Sequence, residues 1–259
     1  MNKTIETLIN RKSVRAFENR SIEPDIKAQI LNATLRAPTA GNMMLYSIID
    51  VTDQVKKDKL AVSCDNQPFI ARAPMVWVIL ADYQRWYDYF LHCKVGDICE
   101  KENRSMRNPE EGDLFLACSD AVIAAQNAVV AAESFGIGSC YIGDIIEEYE
   151  THQKLFNLPQ YVFPICMLVF GYPTEQQKNR ELTSRFNDKF VFFENSYHQL
   201  DSAEFDEMFA ERESNRPKGK AMQGIDNYGQ AMYLRKFDTD FAKEMSSSAR
   251  AWLKGWSKS

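Results

Sequence analysis

The chain has 259 residues, 45% of them hydrophobic, and a formal net charge of −5 at neutral pH. That length is enough for one large domain or two small ones around a sizeable core. The acidic balance excludes a nucleic-acid binder built on a broad basic surface, so a basic cluster here is a local feature suited to a small anion.

Six cysteines, at 64, 93, 99, 118, 140 and 166, form no C-x-x-C pair, and three histidines, at 92, 152 and 198, give no zinc-ligand spacing. Residues 1–10 are polar, with no apolar signal region. The longest apolar stretch, 121–132, is interrupted by Gln126 and Asn127 and falls short of a bilayer span. The expectation is a cytoplasmic protein with reduced thiols, no membrane segment and no nucleic-acid partner.

Residues 3–10 carry Ile5, Leu8 and Ile9 on one helical face and lead into Arg11, Lys12, Ser13, Val14 and Arg15, followed by Phe17. Guanidinium forks bind phosphate oxygens two at a time, and a serine between them adds a short donor. Taken alone, the cluster reads either as a solvated basic helix end or as a phosphate clamp. A second cationic pair, Lys178 and Arg180, follows a predicted strand and turn at 169–173, and two remote basic groups around one anion would make a site.

Ser21 and Pro24 announce a helix over 24–36, with Ile26, Ile30, Leu31 and Leu35 on one face. Pro38 and Gly41 make 37–42 a loop. Residues 45–52 and 75–81 read as buried strands. An aromatic helix from Tyr83 then runs into a charged, exposed excursion over 100–113. Residues 114–135 are apolar nearly all round and rich in alanine, which predicts a core or dimer helix without chemistry of its own. Gly136 and Gly138 supply its C-cap signal, and the chain runs on into Ser139 to Asp144. Strands are expected at 161–171 and 190–193, a charged helix from about 202, and a loop over 212–229 that carries Arg212, Arg216, Lys218 and Lys220. The whole reads as one domain, residues 1–259.

In order along the chain stand RKSVRAF at 11–17, APTAGN at 37–42, GIGSCYIGD at 136–144, FGYP at 170–173 with K-x-R at 178–180, and ENSYHQLD at 194–201. Together they resemble the FMN-dependent nitroreductase superfamily, most nearly its NADPH-preferring, oxygen-insensitive nitroreductases and flavin reductases. The resemblance implies an α+β fold, with a central, mostly antiparallel sheet flanked by helices. It also implies an intertwined homodimer in which residues 200–259 wrap the partner. FMN would be surrounded by Arg11, Lys12, Ser13 and Arg15. Its phosphate would be held by Arg11, Ser13, Lys178 and Arg180, with Arg15 near the pyrimidine edge. Thr39 stands where the family often has serine, and Gln67 matches an amide at the ring edge. Tyr141, Ile142, Gly143 and Asp144 match a turn offering backbone groups to the flavin, with Gly143 letting the main chain come close. Cys140 reads as a small core residue beside that turn. Arg212 and Arg216 are the candidates for the 2′-phosphate of NADPH. The implied activity is ping-pong, two-electron reduction of nitroaromatics, quinones or flavins by NAD(P)H. A dedicated flavin reductase and a non-catalytic flavin-binding redox sensor are the alternatives.

Overall fold

The computed structural model describes residues 2–216 and 224–257. The chain divides into two compact units where the sequence suggested one domain. One contains the residues up to Arg180 together with those from Glu244 onward, and the other is Glu181–Lys243.

The first unit is built on a four-stranded antiparallel sheet of β1 (Tyr46–Asp50), β2 (Met75–Asp82), β3 (Gly138–Ile142) and β4 (Val162–Gly171), in spatial order β1-β2-β4-β3. Along β2 the alternation of side chains divides the core. Met75, Trp77 and Ile79 belong to one buried cluster, and Val76, Val78 and Leu80 to the other. β4 alternates likewise, with Leu168 and Phe170 on the first side and Met167 and Val169 on the second. Both faces are covered, which is why these strands read as continuous apolar runs. Pro164 cannot donate to the ladder, and the register shifts opposite it, between Ile79 and Leu80.

Helices α1 (Lys3–Asn10) and α2 (Pro24–Thr34) precede the sheet; Asn2 caps α1 by accepting from Ile5 N, and Pro24 opens α2. α3 (Gln54–Ser63), capped by Asp53, and α4 (Pro68–Arg72) contribute Leu60, Ala61, Phe69 and Ile70 to the second cluster. α5 (Gln84–His92) and α6 (Val95–Lys101) occupy the aromatic and charged region. The predicted excursion over 100–113 is in fact tied down. Tyr87 Oη donates to Asn108 Oδ1 at 2.7 Å, and the Arg107 guanidinium pairs with Asp113, which also caps the following helix by accepting from Glu110 N.

That helix, α7 (Glu111–Ser134), is long and apolar enough to cross a membrane, longer than the uninterrupted apolar run suggested. Its alanines 121, 124, 125, 128 and 132 are instead buried against the sheet, with Ile30 of α2 completing that layer. Small side chains let the helix lie close to β2 and β4. It ends at Gly136, whose φ of +70° suits the left-handed C-cap position. Of the turn that the resemblance implies at 141–144, Tyr141 and Ile142 belong to β3, which begins at once at Gly138, and Asp144–Ile146 form a 3₁₀ turn.

α8 (Tyr149–Phe156) and α9 (Glu175–Lys178) complete the chain up to Arg180. In the second unit, α10 (Ser202–Ser214) carries the capping box Asp201/Glu204 and is followed by α11 (Tyr228–Met232). The strand predicted at 190–193 is absent; Asp188–Phe190 form a 3₁₀ turn, with Val191 and Phe192 exposed rather than paired. The last helix, α12 (Asp240–Trp256), returns to the first unit. Residues 244–256, expected in a partner-wrapping extension, pack into their own chain's core. Trp252 Nε1 donates to Ile146 O at 2.9 Å and Trp256 Nε1 to Glu110 O at 3.1 Å.

Candidate active site

Strand β3 joins two groups of sequence-predicted residues. At its start, the basic segment lies alongside as an irregular strand. Ser13 forms a parallel bridge with Ser139, and Val14 N donates to Ser139 O at 2.8 Å. Farther along, Phe17 bridges Pro173, and Glu18 N donates to Tyr172 O at 2.8 Å. This close approach depends on two glycines. A Cβ on Gly138 would fall 2.4 Å from Val14 Cγ2, and one on Gly171 would fall 2.7 Å from Phe17 Cδ1. Gly138, expected only as part of a helix stop, makes room for the basic segment.

The two remote cationic segments do meet, largely through main-chain atoms. Lys12 Nζ donates to Lys178 O at 2.8 Å and to Arg180 O at 2.5 Å, and Arg180 Nη2 donates to Ser13 O at 2.5 Å. Gln177 Oε1 accepts from Arg15 N at 3.3 Å. Lys178 is paired with Glu18 at 3.0 Å and Glu175 at 2.6 Å. Arg11 differs from its neighbours, because its Nη1 is buried and has no hydrogen-bond partner. A buried cationic donor left unsatisfied is costly, so this atom marks where an acceptor oxygen belongs.

At the other end of β3, Ile142 is buried, Gly143 is exposed with open space around it, and Asp144 Oδ2 accepts from Gln67 Nε2 at 2.8 Å. Gln67 also donates to Cys64 O at 2.9 Å, which fixes its amide orientation. Tyr141 Oη donates to Gln126 Oε1 at 3.2 Å, and burial raises its phenol above the usual range. From Ser139 to Asp144 the chain advances about 16 Å. The unpartnered Arg11 donor and an amide–carboxylate pair thus lie toward the two ends of one strand.

Thr39 belongs to a loop shaped by a residue that sequence reasoning missed. Asp120 of α7, 3% exposed, accepts from Ala40 N at 2.9 Å and Leu45 N at 3.1 Å. Thr39 Oγ1 accepts from Met44 N at 3.0 Å, and Gly41 takes a φ of +54° at the bend. The available signal was the pair of acids, Asp120 and Glu133, within the otherwise uncharged stretch 114–135. Asp120 is buried, and Glu133 is half-buried with its Oε1 closed off from solvent. Burial pushes the Glu133 carboxyl up to about 7, against the opposing pull of Arg11 and Lys12. Glu147, just after the Asp144 turn, is also pushed up to about 7, by burial and by Asp144, Asp65, Glu244 and Glu148.

Other reactive groups belong to the scaffold. Ser63 Oγ and His152 Nε2 lie 2.7 Å apart, the spacing of a nucleophile and base, but His152 is fully buried and its Nδ1 meets Ile145 O at 2.9 Å. Cys140 is 1% exposed and burial raises its thiol, as expected of a core residue.

In the second unit, the Arg212 guanidinium stacks on Phe186 at 3.7 Å. Arg216 is committed locally: Nε donates to Glu213 at 2.8 Å, Nη1 to Ile225 O at 3.0 Å and Nη2 to Asp226 O at 2.9 Å. Lys218 and Lys220 lie outside the described residues. A groove lined by Phe205, Phe209, Glu213 and Tyr228 runs beside α10.

A Gly138→Ala variant should be destabilised by about 1–3 kcal/mol through overpacking against Val14. Its segment 11–15 should become an early trypsin cleavage site. Gly143→Ala, with nothing within 4 Å of the added carbon, should melt like the wild type. Equal melting temperatures and digestion patterns for both would remove Gly138 from this role.

Residues 8–172 match the nitroreductase family model. The chain is 32% identical over 198 residues to the FMN reductase (NADPH) of Bacillus subtilis, covering 76% of this chain and 75% of that one. It is 30% identical over 214 residues to the oxygen-insensitive NADPH nitroreductase of Salmonella typhimurium, covering 82% of each. Nitroreductase A from Vibrio parahaemolyticus superposes with a TM-score of 0.77 at 25% identity, over the whole of both chains. With the sheet, the glycine-dependent docking of the basic segment and these similarities together, the chain belongs to the nitroreductase family.

Proposed function

We propose that this protein binds FMN along β3 and uses NADPH to reduce nitroaromatics, quinones or flavins. The observation that carries the reading is the unpartnered Arg11 Nη1 at one end of that strand, with the Gln67–Asp144 pair at the other. The residues fit the group. Arg11 and Ser13 hold its phosphate, with the remaining donors of Arg180 beside them. Lys12 fixes the 178–180 segment, and Lys178 adds positive charge from within its ion pairs. Gln67, Asp144, Tyr141, Ile142 and the main chain at Gly143 border the ring, and Arg15 lies at its pyrimidine edge. Thr39, whose oxygen already accepts from Met44 N, keeps its O–H free to donate.

The bound flavin supplies the two-electron hydride chemistry, and the chain supplies position and electrostatics. The arginine-rich segment favours negative charge at its end of the site. NADPH and the acceptor take the exposed side of the site at Gly143 in turn, in ping-pong order. The similarity to an FMN reductase favours free flavin as one acceptor, and initial rates with FMN and a nitroarene compare the two. Homodimerisation is supported by the outward face of α7, where Phe115, Leu116, Val122 and Ile123 are exposed together. Ala128, facing its own sheet, is not part of that seam. A monomer in sedimentation equilibrium would overturn the dimer.

The direct test of function is an absorbance spectrum of the purified protein before and after anaerobic NADPH. A flavin spectrum bleached by NADPH is expected, and no flavin at saturating FMN sinks the reading. We assign the 2′-phosphate to Arg212 with Arg216 as the brace, since the Arg216 guanidinium is already bonded to Glu213 and two carbonyls. One exposed phosphate contact of roughly 0.5–1 kcal/mol predicts about 2- to 5-fold preference for NADPH in kcat/KM. That ratio should fall in Arg212→Ala and weaken at high salt; an unchanged ratio would move the phosphate elsewhere.

A further inference from the structure

Beside Arg11 lies a second orphaned atom. Glu133 Oε1, on the last turn of α7, is buried without a hydrogen-bond partner, like Arg11 Nη1. Arg11 and Lys12 act electrostatically on the Glu133 carboxyl, but its Oε1 bonds to neither. Lys12 is spent on the carbonyls of Lys178 and Arg180. Arg11 Nη1 and Glu133 Oε1, two buried atoms of half-buried side chains within electrostatic range but unjoined, leave Arg11 free for an external anion.

We propose that Glu133 is a specificity-determining residue that couples binding of the phosphate end of the ligand to uptake of a proton. This rests on the assignment of Arg11 to an FMN phosphate. As a carboxylate, Glu133 would place a buried negative charge beside the incoming phosphate. As a neutral acid it leaves the phosphate facing only the cations. Because burial pushes this carboxyl up to about 7, the change falls within the working pH range. The sign follows: below about pH 7 the acid is neutral and costs the ligand nothing. Above it, each binding event must return the proton, and affinity falls by up to about tenfold per pH unit.

The test compares FMN dissociation constants of wild type and Glu133→Gln between pH 6 and 8.5, followed by flavin fluorescence quenching. The phosphate's own ionisation is common to both proteins and cancels in their ratio. Equal affinities are expected at pH 6, with the variant several-fold to about tenfold tighter at pH 8.5. Riboflavin, which has no phosphate, should show a flat ratio. Calorimetry of the wild type at pH 8 in buffers of different ionisation enthalpy should show proton uptake with FMN and needs no variant. A pH-independent ratio with no proton uptake overturns the proposal while leaving the FMN site intact. So does weaker binding by Glu133→Gln at every pH, because the carboxylate would then be an orienting partner of Arg11. Absence of FMN binding by either protein would overturn the flavin reading itself.

Discussion

Replacing Arg11 and Arg180 together by alanine is expected to yield a colourless protein that no longer retains FMN. Arg11 offers the buried, unpartnered donor, and Arg180 closes the opposite segment onto Ser13 O at 2.5 Å. A hydrogen bond to a charged group contributes about 1.5–3 kcal/mol, so losing two weakens binding by about 3–6 kcal/mol. That corresponds to roughly 10²- to 10⁴-fold in Kd. Arg180→Ala also removes a stitch, so circular dichroism and thermal melting must accompany the flavin titration. Native spectra with lost FMN support a binding defect. Full FMN occupancy in the double variant would show that the anion seat lies elsewhere. Lys178→Ala is the informative contrast. Its amine is held by Glu18 and Glu175, so its loss should weaken FMN far less than loss of Arg11.

The sequence made part of this arrangement legible and hid the rest for physical reasons. Strands β2 and β4 were evident because both faces are buried and their side chains are apolar apart from Asp82 at the end of β2. The clustering of Arg11 to Arg15 with Lys178 and Arg180 could be anticipated from charge, but not the means of joining them. Those bonds run from side chains to carbonyls, and carbonyls carry no sequence signal. The role of Gly138 was hidden for a related reason. A glycine after a helix reads as a stop, and only the packed Val14 shows why a side chain is forbidden there. At 190–193 local β-propensity misled, because no neighbouring strand is available to pair with that run. In the stretch 114–135 the count of apolar residues outweighed its two acids, Asp120 and Glu133, although both hold positions beside the site.

Removing the Asp120 side chain should also cost the fold heavily. Its two oxygens accept from Ala40 N and Leu45 N, and together these bonds clamp both ends of the turn that carries Thr39 and Gly41. Because Asp120 is almost fully buried, water cannot replace the carboxylate without entering the core. Asp120→Ala leaves two amides unsatisfied at about 1–3 kcal/mol each, a loss of about 2–6 kcal/mol. For a chain of this size that lowers Tm by on the order of 10 °C. Asp120→Asn keeps one acceptor oxygen and turns a donor amine toward the second N–H, so it should recover only part of the loss. Hydrogen exchange reads the mechanism directly. The amides of Ala40 and Leu45 should lose protection in Asp120→Ala, while those of β4, stabilised by their own ladder, lose only what the global destabilisation dictates. Unchanged exchange at Ala40 and Leu45, with Tm within a degree or two of wild type, would mean that the loop holds its shape without the carboxylate. The link between α7 and the candidate site would then have to run through Gln126, which accepts from Tyr141, and through Glu133.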